Sequence, residues 1–259
     1  MPSDGAIAFS PDGTRKPVSR QWIGEVPVAL EYNGVSYAVM MATPQELEDF
    51  AIGFALTEGL AASPDEVRDI AVADTDKGWI VRASLSGLGV STMMERVRTR
   101  VAESSCGLCG IENLEAIARP LPSVVAHRAI NAAAIFAALE ELGRKQVLGP
   151  ATGAAHGAAW ADEAGRIGFL REDVGRHNAM DKLIGAMARA RRSPSLGFVV
   201  STARCSYEIV EKAVKAGATT LVTISLPTSM AVERAREAGL SLWVLARKDS
   251  VLLVNDASA

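Results

Sequence analysis

The sequence predicts an α/β protein, with a three-layer α/β domain in its C-terminal half preceded by a smaller α+β domain. Two observations predict it. Beyond residue 142, strand-like and helix-like segments alternate, the pattern of a largely parallel sheet with helices on both faces. Before residue 90, a hairpin and two shorter strands surround one helix. Arg119-Pro120-Leu121-Pro122-Ser123 interrupts the periodicity between them, which divides the chain into 1–21, 22–122 and 123–259.

Residues 1 to about 20 are polar, bear Pro and Gly and show no periodicity, so they read as a mobile segment, with the fold starting near Trp22. Val26–Tyr32 and Val35–Met41 flank Asn33-Gly34, a pair suited to the positive φ angles of a type I′ turn. Thr43-Pro44-Gln45-Glu46 reads as a capping box opening a helix, with Leu47, Phe50, Ala51 and Phe54 on one face and Gly59 at its end. Strands follow at 67–73 and 79–85. In the second half, Asn131 caps a helix that ends at Gly143. Strands at 166–171, 196–201, 219–225 and 240–246 then alternate with helices at 177–190, 205–216 and 228–238, before a last apolar stretch at 250–254.

Composition narrows the function classes. The 259 residues are 49% hydrophobic, ample for a core, and the net charge of −3 offers no basic footprint for nucleic acid. Arg189-Ala190-Arg191-Arg192 reads as a solvated helix end. The longest apolar run, Ala132–Leu139, is far short of the roughly 20 residues a bilayer needs. The N-terminus has no basic segment followed by an apolar one, so a cytoplasmic location is expected. Three cysteines form no even disulfide framework, and a reducing compartment keeps them as thiols.

Two of those cysteines stand in Ser104-Ser105-Cys106-Gly107-Leu108-Cys109-Gly110. A zinc site needs a second ligand pair. None is present: Cys205 is remote and His127, His156 and His177 stand singly. Deaminase chemistry needs H-x-E ahead of P-C-x-x-C, but His156-Gly157-Ala158 lacks the Glu and Ser105 replaces the proline. A dithiol redox pair fits the spacing, although the βαβ context of such pairs is missing around residue 106. Gly107 and Gly110 permit tight backbone geometry, and a helix beginning near Cys109 would lower the thiol pKa, with Arg96, Arg98 and Arg100 adding positive potential. Cys205, at a helix start, reads as packing, and His156 is as readily a core histidine as a site residue.

In sheets of this kind, ligands bind where strands' carboxyl ends turn into helices. The loops to inspect are therefore 172–178, 201–206, 225–229 and the one after Leu245. The first of these opens Glu172-Asp173-Val174-Gly175-Arg176-His177-Asn178-Ala179-Met180-Asp181-Lys182, a density of acid, base, imidazole and amide suited to a polar heterocycle bearing phosphates.

Several ordered motifs together resemble the formate dehydrogenase accessory sulfurtransferase family, FdhD/NarQ. They are CGLCG at 106–110, EDVGRHNAMDK at 172–182, Ser206-Tyr207-Glu208, SLPTSMAVERAREAGL at 225–240, TPQELEDFAIGFALTEGL at 43–60 and LARKDS at 245–250. The resemblance runs from about residue 22 onward. It implies a cytoplasmic homodimer that accepts sulfur from a cysteine desulfurase as a cysteine persulfide and passes it to molybdenum bis(molybdopterin guanine dinucleotide), destined for a formate dehydrogenase. It further implies a C-terminal domain of cytidine deaminase-like architecture, with Cys106 as carrier, Cys109 in support, and Leu245, Ala246, Arg247, Lys248, Asp249 and Ser250 as a cofactor-binding segment. No structural metal is expected. Asp173, Arg176, His177, Arg204 and Thr228 are the candidates for the rest of that surface, supplying phosphate and guanine partners.

This chain departs from the family pattern at Thr202-Ala203-Arg204, where Ser-Gly-Arg is usual, at Lys248, where glycine is usual, and at Gly153-Ala154, where two glycines are usual. A non-catalytic chaperone that holds the cofactor is the alternative reading, and a thiol oxidoreductase a third.

Overall fold

The computed structural model describes residues 6–87, 89, 93, 120–124 and 128–258. The CxxC segment, the arginines at 96, 98 and 100, the helix expected after Cys109 and His127 lie outside them.

The described chain opens with structure that the sequence reading did not expect. β1 (Ala6–Phe9) and β2 (Arg15–Val18) pair antiparallel around a Pro-Asp-Gly turn, with Gly13 at φ 83° and its N–H donating to Ser10 O. Turn chemistry outweighs the missing periodicity. β3 (Val26–Tyr32) and β4 (Val35–Ala42) then form the expected hairpin, with Asn33 and Gly34 at φ 51° and 78°. β3 also pairs parallel with β6 (Gly78–Leu85), whose other neighbour is β5 (Val67–Thr75), giving the order β4-β3-β6-β5.

α1 (Leu47–Thr57) starts later than the capping box predicts. Glu46 is left-handed at φ 47° and provides no side-chain cap, because Thr43 is engaged elsewhere. Leu47, Phe50, Ala51 and Phe54 pack on the four-stranded sheet as expected. The opposite face of α1 is buried too, against the second half of the chain.

That half is built on a six-stranded sheet ordered β12-β11-β10-β9-β7-β8. Its strands are β7 (His156–Asp162), β8 (Ile167–Asp173), β9 (Gly197–Ser201), β10 (Thr220–Thr223), β11 (Ser241–Val244) and β12 (Leu252–Asn255). α2 (Ala132–Lys145) covers one face, packing Ile135, Ala138 and Leu142 on Ala159, Ala161, Phe198, Val200 and Val222. α4 (Arg176–Arg189), α5 (Tyr207–Lys215) and α6 (Ser229–Ala238) cover the other, on Ala158, Trp160, Val199, Leu221 and Leu242. Successive strand residues thus point into different layers, as the pleat requires. A short α3 (Leu148–Thr152) precedes β7.

Three expectations need correction. The sheet is mixed: β9-β10 and β10-β11 are parallel, whereas β7 runs antiparallel to both β8 and β9, and β12 to β11. The β7–β8 and β11–β12 connections carry no crossover helix, so those pairs cannot be parallel. β7 itself was not foreseen, since His156-Gly157-Ala158-Ala159-Trp160-Ala161-Asp162 is poor in β-branched residues. And α2 runs through Gly143 to Lys145, its start capped as predicted by Asn131 Oδ1, which accepts from Ala134 N at 2.8 Å. On the linker, Leu121 and Val124 pack on the α/β core and Val124 N donates to Ala238 O.

The two halves meet where α1 crosses α4. A Cβ on Gly53 would stand 1.7 Å from Asp181 O, and one on Gly185 1.8 Å from Asp49 O, so glycine on each helix permits backbone contact.

Candidate functional site

Strand direction places the four inspected loops on one edge. β8 and β9 are both antiparallel to β7 and therefore run the same way, as do β10 and β11, so the carboxyl ends of all four strands lie together. Backbone bonds tie this edge together: Thr202 N donates to Gly157 O of β7, Ile224 N to Ser201 O, Thr228 N to Cys205 O and Leu245 N to Ser225 O. The long α4, α5 and α6 begin on this edge, where their N-terminal N–H groups and dipoles favour anions. Neither Gly175 nor Ser206, the caps of α4 and α5, satisfies those N–H groups with a side chain.

The segment Glu172–Lys182 divides into two kinds of residue. Asp173 and Lys182 are fully buried and 2.7 Å apart. Asp173 Oδ1 accepts from Gly175 N and Asn178 Nδ2, and Oδ2 from Thr43 N at 3.0 Å. Lys182 Nζ donates to Thr43 O, Thr43 Oγ1 accepts from Val174 N, and Asn178 Nδ2 also donates to Met41 O. Asp173 therefore ties the end of β4 to the loop before α4 and does not stand on the ligand surface where the sequence reading put it. Asp181 is likewise buried, held by Lys212 Nζ at 2.9 and 3.0 Å and by Thr57 Oγ1 at 2.8 Å. Burial raises its carboxyl above the ordinary value, with Lys212 pulling the other way. Asp49, buried on α1, accepts from Arg171 and Arg189. Glu172 caps α3, its oxygens accepting from Val147 N, Leu148 N and Gly149 N.

Arg176 and His177 are the members of that segment that reach the edge. His177 Nε2 lies 2.9 Å from Glu208 Oε2, and Arg176 Nη2 lies 4.0 Å from the same oxygen. The His177–Glu208 contact has ion-pair distance without hydrogen-bond alignment, so both atoms, together with Ser206 Oγ, are buried without an aligned hydrogen bond. Arg204 is exposed nearby. His156, at the start of β7 beside Asp173 of β8, has its pKa lowered first by burial and then by Arg176, Arg204 and His177. It is therefore a neutral imidazole inside a cationic group. The structure thus brings together Arg176, His177 and Arg204, and adds His156 and Glu208, which spacing alone could not assign to the edge.

The remaining candidates spread along the same edge. Thr228 Oγ1 accepts from Ala231 N as the cap of α6, leaving an exposed hydroxyl with one local partner. Leu245 adopts φ 50° and Ala246 is buried, its N–H donating to Thr223 O. Arg247, Lys248, Asp249 and Ser250 form an exposed turn closed by Arg247 N donating to Ser250 O. This turn leaves β11, two strands from β9, so it lies on the order of 10 Å from the Arg204 loop. Two concavities, of about 460 Å³ beside Trp79 and Arg171 and about 320 Å³ beside Leu56 and Met187, open at the α1 junction and not on this edge.

Cys205 is fully buried in the α4–α6 core, and burial pushes its thiol up to about 12. A thiol so far from ionising is a poor nucleophile, which agrees with its reading as a packing residue.

The FdhD/NarQ family model matches residues 23–258. A sulfur carrier protein FdhD of Xanthomonas campestris pv. campestris (strain B100) is 45% identical over 223 residues, 86% of this chain and 79% of that protein. One from Variovorax paradoxus (strain S110) is 41% identical over 236 residues, 91% and 85% of the two chains. The fold is shared with the crystal structure of a candidate formate dehydrogenase accessory protein from Desulfotalea psychrophila, at TM-score 0.75 and 24% identity, covering 98% of this chain and 96% of the other.

Proposed function

The chain belongs to the FdhD/NarQ family, and from that premise we propose that it is a sulfur carrier serving formate dehydrogenase, with Cys106 as carrier and the loop edge as cradle for the cargo. The observation that supports the division of labour is the state of the third cysteine. Cys205 is sealed in the core with its thiol pushed up to about 12, which leaves Cys106 and Cys109 for thiolate chemistry. In the loading step the Cys106 thiolate attacks the outer sulfur of a desulfurase persulfide. A new S–S bond forms on Cys106 while the donor's S–S bond breaks, and the donor cysteine departs as thiolate. No net oxidation occurs. Cys109 assists as the neighbouring thiol.

The cargo is molybdenum bis(molybdopterin guanine dinucleotide), which carries pyrophosphates and guanines. Arg176, Arg204, Arg247 and Lys248 supply cations, and His177 an imidazole, along an edge that also presents helix N-termini, which suits an extended anionic ligand better than a closed pocket. Asp173 contributes by fixing the loop that carries Arg176 and His177. Ser250, Asp249, Leu245 and Ala246 shape the turn at the far end, and Thr228 presents a hydroxyl between the two. The protein is expected to act as a homodimer in the cytoplasm, between a cysteine desulfurase and formate dehydrogenase.

Incubation with a cysteine desulfurase and cysteine, followed by intact mass measurement, tests the carrier role. The wild type gains the mass of sulfur, and Cys106→Ala gains none. Undiminished sulfur in the Cys106→Ala/Cys109→Ala double variant contradicts the proposal, and formate dehydrogenase activity retained in cells bearing that variant favours a cofactor-holding chaperone.

A further inference from the structure

Buried polar atoms without aligned partners are few in folded proteins, and each calls for a reason. Three of them cluster where α4 and α5 begin: His177 Nε2, Glu208 Oε2 and Ser206 Oγ. Glu208 is the odd member of this group. An edge suited to anions is weakened by a carboxylate, yet Glu208 sits 2.9 Å from His177 and 4.0 Å from Arg176. The neighbouring carboxylates are already committed, Asp173 to Lys182, Asp181 to Lys212 and Glu172 to the α3 N–H groups. Glu208 therefore faces Arg176 and His177, the two residues of the Glu172–Lys182 segment that reach the edge, and it joins the first turn of α5 to that of α4.

We infer that Glu208 is a positioning residue, holding His177 and Arg176 in one arrangement for an anionic, guanine-nucleotide-type ligand. The inference rests on the cradle reading above. A carboxylate acting merely as countercharge and one acting as a positioner have opposite consequences. Neutralising a countercharge removes repulsion and tightens anion binding, whereas neutralising a positioner frees the imidazole and guanidinium to other orientations and loosens it. Ser206 Oγ, at the cap of α5, lies within the same buried group but carries no charge to orient a cation.

GDP titrated calorimetrically into the full-length protein reads the first consequence. Glu208→Gln is expected to bind GDP about tenfold more weakly, the scale of one charge-assisted hydrogen bond. Glu208→Asp, which keeps the carboxylate, is expected to stay within about threefold of wild type, and adding Glu208→Gln to His177→Asn to cause a smaller loss than Glu208→Gln causes alone. The ¹⁵N resonances of the imidazoles read the pairing without any nucleotide. The chain has three histidines, so His177 is assigned with His177→Asn alone, and its signal is expected to move in Glu208→Gln. GDP binding by Glu208→Gln as tight as wild type or tighter overturns the inference, as does an unmoved His177 resonance. If wild type binds no GDP, the cradle reading fails, and the resonance still decides whether Glu208 holds His177. Where Glu208→Gln does not fold, Glu208→Ala replaces it in both measurements, with the same expected and overturning results.

Discussion

The junction of α1 with α4 and the loop edge draw on the same eleven residues, 172–182, and treat charge in opposite ways. At the junction, Asp173 meets Lys182, Asp181 meets Lys212, and Asp49 meets two arginines, and all three carboxylates are buried. Both oxygens of each of these carboxylates have partners. At the edge, one or two turns away, His177 and Arg176 both approach the Glu208 carboxylate, His177 at imperfect geometry, and His156 is kept neutral beside them. Satisfied buried pairs fix one arrangement of the chain, whereas polar atoms left incompletely paired are available to a ligand. The difference teaches that a charge-rich signature is not uniformly a site: part of it is the frame that aims the rest.

The largest effects are expected from breaking the frame. Lys182→Met leaves the Asp173 carboxylate buried without its cation, a change that costs about 3–5 kcal/mol. Urea unfolding checks it, and a loss below about 1 kcal/mol would mean that the pair does not hold the junction. Gly53→Ala comes next. The added methyl would stand 1.7 Å from Asp181 O, so the helices must part, at about 1–3 kcal/mol for overpacking of this kind. The melting temperature should fall by several degrees, and an unchanged value would show that α1 and α4 are less closely pressed.

The smallest effect lies on the edge and is seen through pH. The folded-state pKa of His156 is lowered, so the unfolded chain binds that proton more readily. Stability therefore falls as pH drops below the ordinary value of 6.5 and stops falling once the folded value is passed. His156→Asn should flatten this part of the stability–pH curve. A wild-type curve that rises on acidification through that window, owing to this residue, would contradict the neutral imidazole.

Much of the frame was legible locally. Asn33-Gly34 specified its turn, Asn131 its helix, and the alternation after residue 142 the layered half, because each depends on neighbours in sequence. What could not be read depends on distant partners. Asp173 looked like a ligand group because its true partner, the Thr43 backbone, is 130 residues away. Thr43 looked like a helix cap for the same reason, its hydroxyl being spent on Val174 N. β7 was hidden by its alanines, whose place in the sheet is set by packing on Phe198, Val200 and α2. At the site, Arg176, His177 and Arg204 were found from residue type and loop position, while His156 and Glu208 needed the strand register and the approach of α5 to α4.

Arg176→Ala tests the division between frame and site most directly, because it alters a residue two positions from buried Asn178 and three from buried Asp173. GDP titrated into the full-length variant, with the melting temperature read on the same sample, is predicted to show affinity reduced about tenfold and a melting temperature within a few degrees of wild type. Undiminished GDP affinity, or a loss of stability comparable to that of Lys182→Met, would contradict it.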